Sequence, residues 1–241
     1  MSRTGNGLFG WALALLTMAL FCSLGFWQLD RGKQKQAMLE QSQGVLAARK
    51  AVPLREAADP ARSQAYDWAQ GQGRFLEKPA VLLDNQTSAG RSGVRVYRAF
   101  QPDAAGTSPL LVELGWLPLP GDRTLPRIES FAAATQAAGL LAPPPSAGLA
   151  AAVVSAQPDG TLLATSLDHA GLARALALPA LAPRVLRLDP ALKLGYQRDL
   201  NILPNTLPPE RHLGYAVQWF GLALAVLITA LVLTLRRRRR R

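Results

Sequence analysis

Two long runs without a charged residue bracket a middle of different texture. Residues 8–27 and 215–235 contain no Asp, Glu, Lys or Arg. At about 1.5 Å per residue, each run is long enough to cross a hydrocarbon core of about 30 Å as a helix. Between them, short extended runs at 66–70, 80–83, 94–97 and 110–112 are punctuated by Gly71, Gly73, Pro79, Gly90, Gly93, Pro102 and Gly106. That spacing predicts an antiparallel β domain.

The rest of the middle adds smaller elements. Residues 28–50 are rich in helix formers, with no proline and with Gly32 and Gly44 as the glycines, so the first helix is expected to continue out of the membrane. Residues 161–165 and 185–188 read as strands, and Asp168 as the cap of a helix running to about 178, ended by Pro179. The Ala/Pro-rich stretch 131–152, with Pro143, Pro144 and Pro145 at its centre, reads as strand, linker and strand, and the three prolines of 201–209 predict an irregular approach to the second apolar run. The expected fold is an α+β membrane protein, with two transmembrane helices flanking a mainly antiparallel β extramembrane domain that holds one or two helices. Its expected divisions are an N-terminus at 1–7, a first span at 8–27, a β-rich domain at 28–213, a second span at 214–235 and a tail at 236–241.

Charge refines this picture. The formal net charge of +11 suggests a nucleic-acid partner until it is located, because Arg236 to Arg241 supply six of the eleven. Six arginines directly after an apolar run mark a cytoplasmic stop, and no basic and aromatic interleaving appears elsewhere. Arg31, Lys33 and Lys35 after the first span argue locally for the opposite orientation. The hexa-arginine tail outweighs them, which predicts both termini in the cytoplasm and the loop in a periplasm-like space. The first run is too long for a signal-peptide core and lacks a small-residue cleavage site, so it is expected to stay as an anchor. Trp11 and Trp27, about 24 Å apart along a helix, suit the two headgroup levels.

Candidate chemistry is sparse. Cys22 is the single cysteine and lies in the first span, and His169 and His212 are the two histidines. Internal disulfides and two-Cys metal sites are therefore excluded. No GxSxG, HExxH, P-loop or GxGxxG is present. Asp84, Glu113 and Asp122 could form an acid/base pair, but without a nucleophile or metal they read as structural carboxylates. His169 is expected in the first turn of a helix, exposed and without function.

The remaining cluster lies where the chain meets the membrane. His212, Tyr215 and Trp219 share a helical face at i, i+3 and i+7, while Trp27 and Arg31 stand at the exit of the first span. If the spans pack side by side, these groups lie at one depth. They would then form an aromatic pocket with an imidazole for the iron of a porphyrin and a guanidinium for its propionates. The competing reading of the same residues is a belt of interfacial aromatics with a histidine that caps or hydrogen-bonds at the headgroup level.

Four segments resemble the Surfeit locus protein 1 family. Leu24-Gly25-Phe26-Trp27-Gln28-Leu29-Asp30-Arg31 with Lys35 is similar to its LGxWQLxRxxxK segment, and 209–220, Pro209 through Phe220, to its PERHLGYAVQWF segment. Leu83-Asp84-Asn85 with Gly90 and Gly93, and Gly115-Trp116-Leu117-Pro118, are similar to its LDNR and NRGWVP blocks. Gln86 replaces the usual arginine after Asp-Asn, and Glu113-Leu114 replaces the usual Asn-Arg before Gly-Trp.

The resemblance implies an inner-membrane assembly factor for haem-copper cytochrome c oxidase. Such a protein binds haem a at the periplasmic membrane surface and aids its delivery to the oxidase core subunit, without catalysing covalent chemistry. On that reading His212 is the axial ligand of the haem iron, with Tyr215, Trp219, Trp27 and Arg31 around it. The oxidase core subunit is the implied partner, with enzymes of haem a synthesis as further partners. Two other classes are weighed beside it: a cofactor-free scaffold that stabilises an oxidase assembly intermediate, and an enzyme or sensor that uses the loop as a ligand-binding domain.

Overall fold

A computed structural model describes residues 3–131, 133–147, 151–203 and 207–239. The chain divides into two compact units. One holds Met1–Glu40 and Thr206–Arg241, and the other holds Gln41–Asn205.

The first unit is an antiparallel pair of helices. Helix α1 runs unbroken over Arg3–Ala48, and α3, the last helix, over Pro209–Arg239. Both are long and apolar enough to cross a membrane and bury little of their apolar surface within the protein, which fits a two-pass membrane protein. The helices touch along their length: Trp11 Nε1 donates to Thr234 Oγ1 at 3.1 Å, Phe21 meets Trp219 with ring centroids 5.5 Å apart, and Phe26 meets Phe220 edge-on at 5.2 Å. Lys35 Nζ donates to the Leu207 carbonyl at 2.7 Å. Small residues permit the close approach. A Cβ on Gly25 would lie 2.7 Å from the Phe220 ring, and Ala216 and Ala223 are buried seven residues apart on α3.

The second unit is a nine-stranded sheet that closes on itself. Its strands are β1 (Ala51–Pro53), β2 (Asp67–Phe75), β3 (Val81–Ser88), β4 (Arg91–Pro102), β5 (Leu110–Pro118), β6 (Gln136–Ala142), β7 (Val154–Ala156), β8 (Leu162–Ala164) and β9 (Val185–Leu188). They lie in the order β1-β2-β6-β9-β5-β4-β3-β8-β7, and β2 also pairs with β4. That extra pairing joins β2, β6, β9, β5 and β4 into a ring, which removes the open edges of those strands. Most pairings are antiparallel; β1–β2, β3–β8 and β5–β9 are parallel. The length of β4 makes closure possible, because its first part pairs with β3 while 100–102 turn to meet 73–75 of β2. Gly73 is needed there, since a Cβ would lie 2.2 Å from the Gln101 carbonyl oxygen.

Alternate residues fill the barrel: Ala69 and Phe75 from β2, Val94, Val96 and Phe100 from β4, Leu110, Val112 and Leu114 from β5, Leu141 from β6, and Leu186 and Leu188 from β9. The outer face of Val81, Leu83, Tyr97, Ala99 and Leu111 is covered by Leu172 of α2 (His169–Ala175) and by Leu176, which directly follows it. Asp168 caps α2 by accepting from Ala170 N and Gly171 N. The Ala/Pro-rich stretch supplies β6, and residues 132 and 148–150 of it lie outside the described residues.

His169 departs from expectation. It stands in the first turn of α2 but is half-buried, with Nε2 enclosed and unpartnered, because α2 lies flat on the barrel. Burial pushes its imidazole below the ordinary value, against the pull of Asp168.

Candidate functional site

Of the residues singled out in the sequence, His212 is the one turned into the helix pair. It is 7% exposed, and its Nδ1 lies 2.7 Å from Gln28 Oε1 on α1. Its Nε2 is enclosed and has no hydrogen-bond partner. Gly32, one turn beyond Gln28, gives the histidine room, since a Cβ there would lie 3.4 Å from His212 Cβ and 3.5 Å from the Pro209 carbonyl oxygen.

The other four candidates are arranged differently. Trp219 packs on Phe21 about two turns further along α3. Trp27 is 53% exposed and Tyr215 38% exposed, both on outward faces, and Arg31 is exposed with Nη1 donating to Gln34 Oε1 at 3.2 Å. The structure therefore brings together His212 and Gln28, with Trp219 nearby on the same face of α3. It does not close Trp27, Tyr215 and Arg31 into a pocket around the imidazole.

Spacing explains the divergence. From His212, both i+3 (Tyr215) and i+4 (Ala216) lie one turn away, and the face that meets α1 is the one with alanine. A small residue lets two backbones approach closely, whereas tyrosine would hold them apart. His212, Ala216, Trp219 and Ala223 then follow a 4-3-4 spacing, matched on α1 by Gly25, Gln28, Gly32 and Lys35 at 3-4-3. Sequence reasoning passed over Gln28 and Gly32 as site residues, and this paired spacing of small and polar positions was the signal that could have found them.

The three carboxylates weighed as acid/base candidates are separately engaged. Asp84 accepts from Arg123 Nη2 with both oxygens at 2.8 Å, and Asp122 Oδ1 accepts from Thr124 N at 3.0 Å. Glu113 is buried between Arg95, which donates to Oε1, and Arg187, whose Nε donates to Oε2 at 3.0 Å, and Tyr97 donates to Oε2 at 3.2 Å. Burial alone would raise the Glu113 carboxyl, but Arg187 and Arg95 outweigh it and hold the group below the ordinary value. Arg187 also donates to the carbonyls of Asn201 and Asp199, tying the end of the β unit to its core. Among the described residues no group of three His, Cys, Asp or Glu is placed to hold a metal ion. A single imidazole nitrogen within the helix pair is what the site can offer a metal.

These features define a class: a protein with two terminal helices able to span a membrane, a closed β unit in the chain between them, and one enclosed imidazole on the second helix. The model of the SURF1 family matches residues 15–224, which takes in the β unit, most of α1 and the first half of α3. The chain belongs to the SURF1 family. It is also similar to a "SURF1-like protein" of Rickettsia felis, 31% identical over 106 residues that make up 43% of this chain and 44% of the relative. The chain thus spans less than half the length of the curated relative that it matches.

Proposed function

We propose that the protein is an assembly factor for haem-copper cytochrome c oxidase that holds haem a at the periplasmic membrane surface and aids its delivery to the oxidase core subunit. It acts as a carrier in the cell inner membrane, with both termini cytoplasmic, and not as an enzyme. Family membership supports the oxidase setting. The observation that carries the haem reading is the enclosed, unpartnered Nε2 of His212 beside a hydrogen-bonded Nδ1. A neutral imidazole bound at one nitrogen is a normal axial ligand of haem iron, and an iron ligand of this kind ordinarily donates its other N–H to a nearby acceptor. Exposed Arg31 is the cation offered to propionates. The haem would supply the iron, and the chain would supply one nitrogen donor. One axial bond suits a carrier that must release what it holds.

A second reading, a cofactor-free scaffold for an oxidase assembly intermediate, is favoured by the covered position of Nε2 and the outward faces of Trp27 and Tyr215. The visible absorption spectrum of the detergent-purified protein, made in cells that synthesise haem a, separates the two. Haem absorbance in the wild type that is lost in His212→Ala is expected. Equal absorbance in both would end the ligand assignment, and no absorbance in the wild type would favour the scaffold.

A further inference from the structure

We propose that Gln28 is a positioning residue for His212: its side-chain carbonyl selects the imidazole tautomer and so determines which nitrogen is free to bind. This rests on the reading of His212 as a ligand-binding imidazole, but it is a statement about two side chains that can be tested without any ligand.

A carboxamide oxygen carries no proton, so the 2.7 Å contact between Gln28 Oε1 and His212 Nδ1 requires the hydrogen on Nδ1. A neutral imidazole has one N–H. With that hydrogen fixed on Nδ1, the lone pair is on Nε2, the atom left without a partner. The two observations therefore specify one chemical state. The alternative tautomer would set two lone pairs, on Nδ1 and Oε1, facing each other at hydrogen-bond distance and would leave an enclosed N–H unsatisfied, which is costly.

The neighbours of Gln28 on α1 isolate its role. Gly25 and Gly32, three residues before it and four after, share its face and have no side chain to offer the imidazole. Gly32 instead makes room, because a Cβ would press on His212 Cβ at 3.4 Å. An amide also differs usefully from a carboxylate. It accepts the Nδ1 hydrogen without adding charge to the contact, so the imidazole is oriented while remaining an ordinary neutral donor at Nε2. A glutamate would keep the hydrogen bond and make the ring more basic, and a leucine would remove the acceptor while keeping bulk.

The test uses the full chain with ¹⁵N-labelled histidine, purified in detergent from cells that make no haem a, in a His169→Gln background so that His212 gives the single imidazole signal. The ¹⁵N spectrum distinguishes the two tautomers directly. The Nδ1–H form is expected in the parent, retained in Gln28→Glu, and lost to a mixture or to the Nε2–H form in Gln28→Leu, with helical circular dichroism unchanged. An Nε2–H parent, or an Nδ1–H signal unaffected by Gln28→Leu, would overturn the proposal. The parent spectrum decides even if the leucine variant fails to fold. In protein made with haem a, Gln28→Leu should bind about 10–100-fold more weakly and Gln28→Glu should restore binding. Absence of haem from the wild type would remove the carrier reading and leave the tautomer result standing.

Discussion

Replacing Glu113 by glutamine should destabilise the β unit severely, through the charges it leaves behind more than through the contact it removes. Glu113 is 2% exposed and is the carboxylate shared by Arg95 and Arg187, which are 4% and 6% exposed. Glutamine keeps the shape but is neutral, and its amide would point two donors at groups that are themselves donors. Two guanidiniums would then lie close together in the protein interior without a counter-charge from Glu113. Removing one partner of a buried pair costs about 3–5 kcal/mol. For a chain of this size each kcal/mol moves the midpoint by about 2–4 °C, so a loss of about 6–20 °C is expected. The assay is thermal unfolding of the full chain in detergent, followed by the β signal in circular dichroism and by protection of the barrel from protease. A shift below about 2 °C would refute the reasoning, because it would mean that the two arginines reach water or other acceptors on their own.

The same cluster fixes a pH dependence. Glu113 has a lowered pKa in the folded state, so its stabilisation is fully present above the unfolded carboxyl value and is lost as pH falls through the folded one. His169 acts higher on the scale. Burial disfavours its protonation, so stability is lost as pH falls through the ordinary imidazole range. Unfolding midpoints taken from pH 8 downward should therefore fall in two stages. His169→Gln should shrink the first stage and Glu113→Gln should shrink the second.

Other outcomes follow from close backbone approaches, helix register and charge. Gly139→Ala should unfold the barrel or cost about 3 kcal/mol or more, because a Cβ would lie 2.0 Å from the Arg187 carbonyl oxygen across the β6–β9 ladder. Gly106→Ala, where nothing lies within 4 Å but φ is +72°, should cost only about 1 kcal/mol in the same denaturation assay. Gln28→Cys with His212→Cys, in a Cys22→Ser background, should cross-link within one chain with a short bis-maleimide. Exclusively intermolecular products on gels would contradict the register of α1 and α3. Replacing Arg236–Arg241 by serine should let Arg31, Lys33 and Lys35 compete for the cytoplasmic side, and reporters fused at the C-terminus should then show mixed topology. Unchanged reporter activity would remove the tail as the determinant.

The parts of this protein that follow from local periodicity were legible in its sequence, and the parts that follow from long-range pairing were not. Two charge-free runs required helices, and alternation broken by Gly and Pro required strands; β9 at Val185–Leu188 and the Asp168 cap lie where the pattern set them. Barrel closure was hidden, because β2–β4 pairing depends on β4 being long enough to serve two partners and on Gly73 admitting the Gln101 carbonyl. The role of Glu113 was hidden for the same reason. Its partners are 18 and 74 residues away, and only the register of β4, β5 and β9 brings Arg95 and Arg187 to it. At the membrane helices, a turn of α-helix offers two successors to every residue, i+3 and i+4. Aromatic residues drew attention to Tyr215, but the helix partner selects the face with the least bulk, and Ala216 is on it. Chemistry within a helix pair is thus found by asking first which residues are small enough to let the helices meet, and then which polar groups stand on that same face. Here those groups are Gln28 and His212.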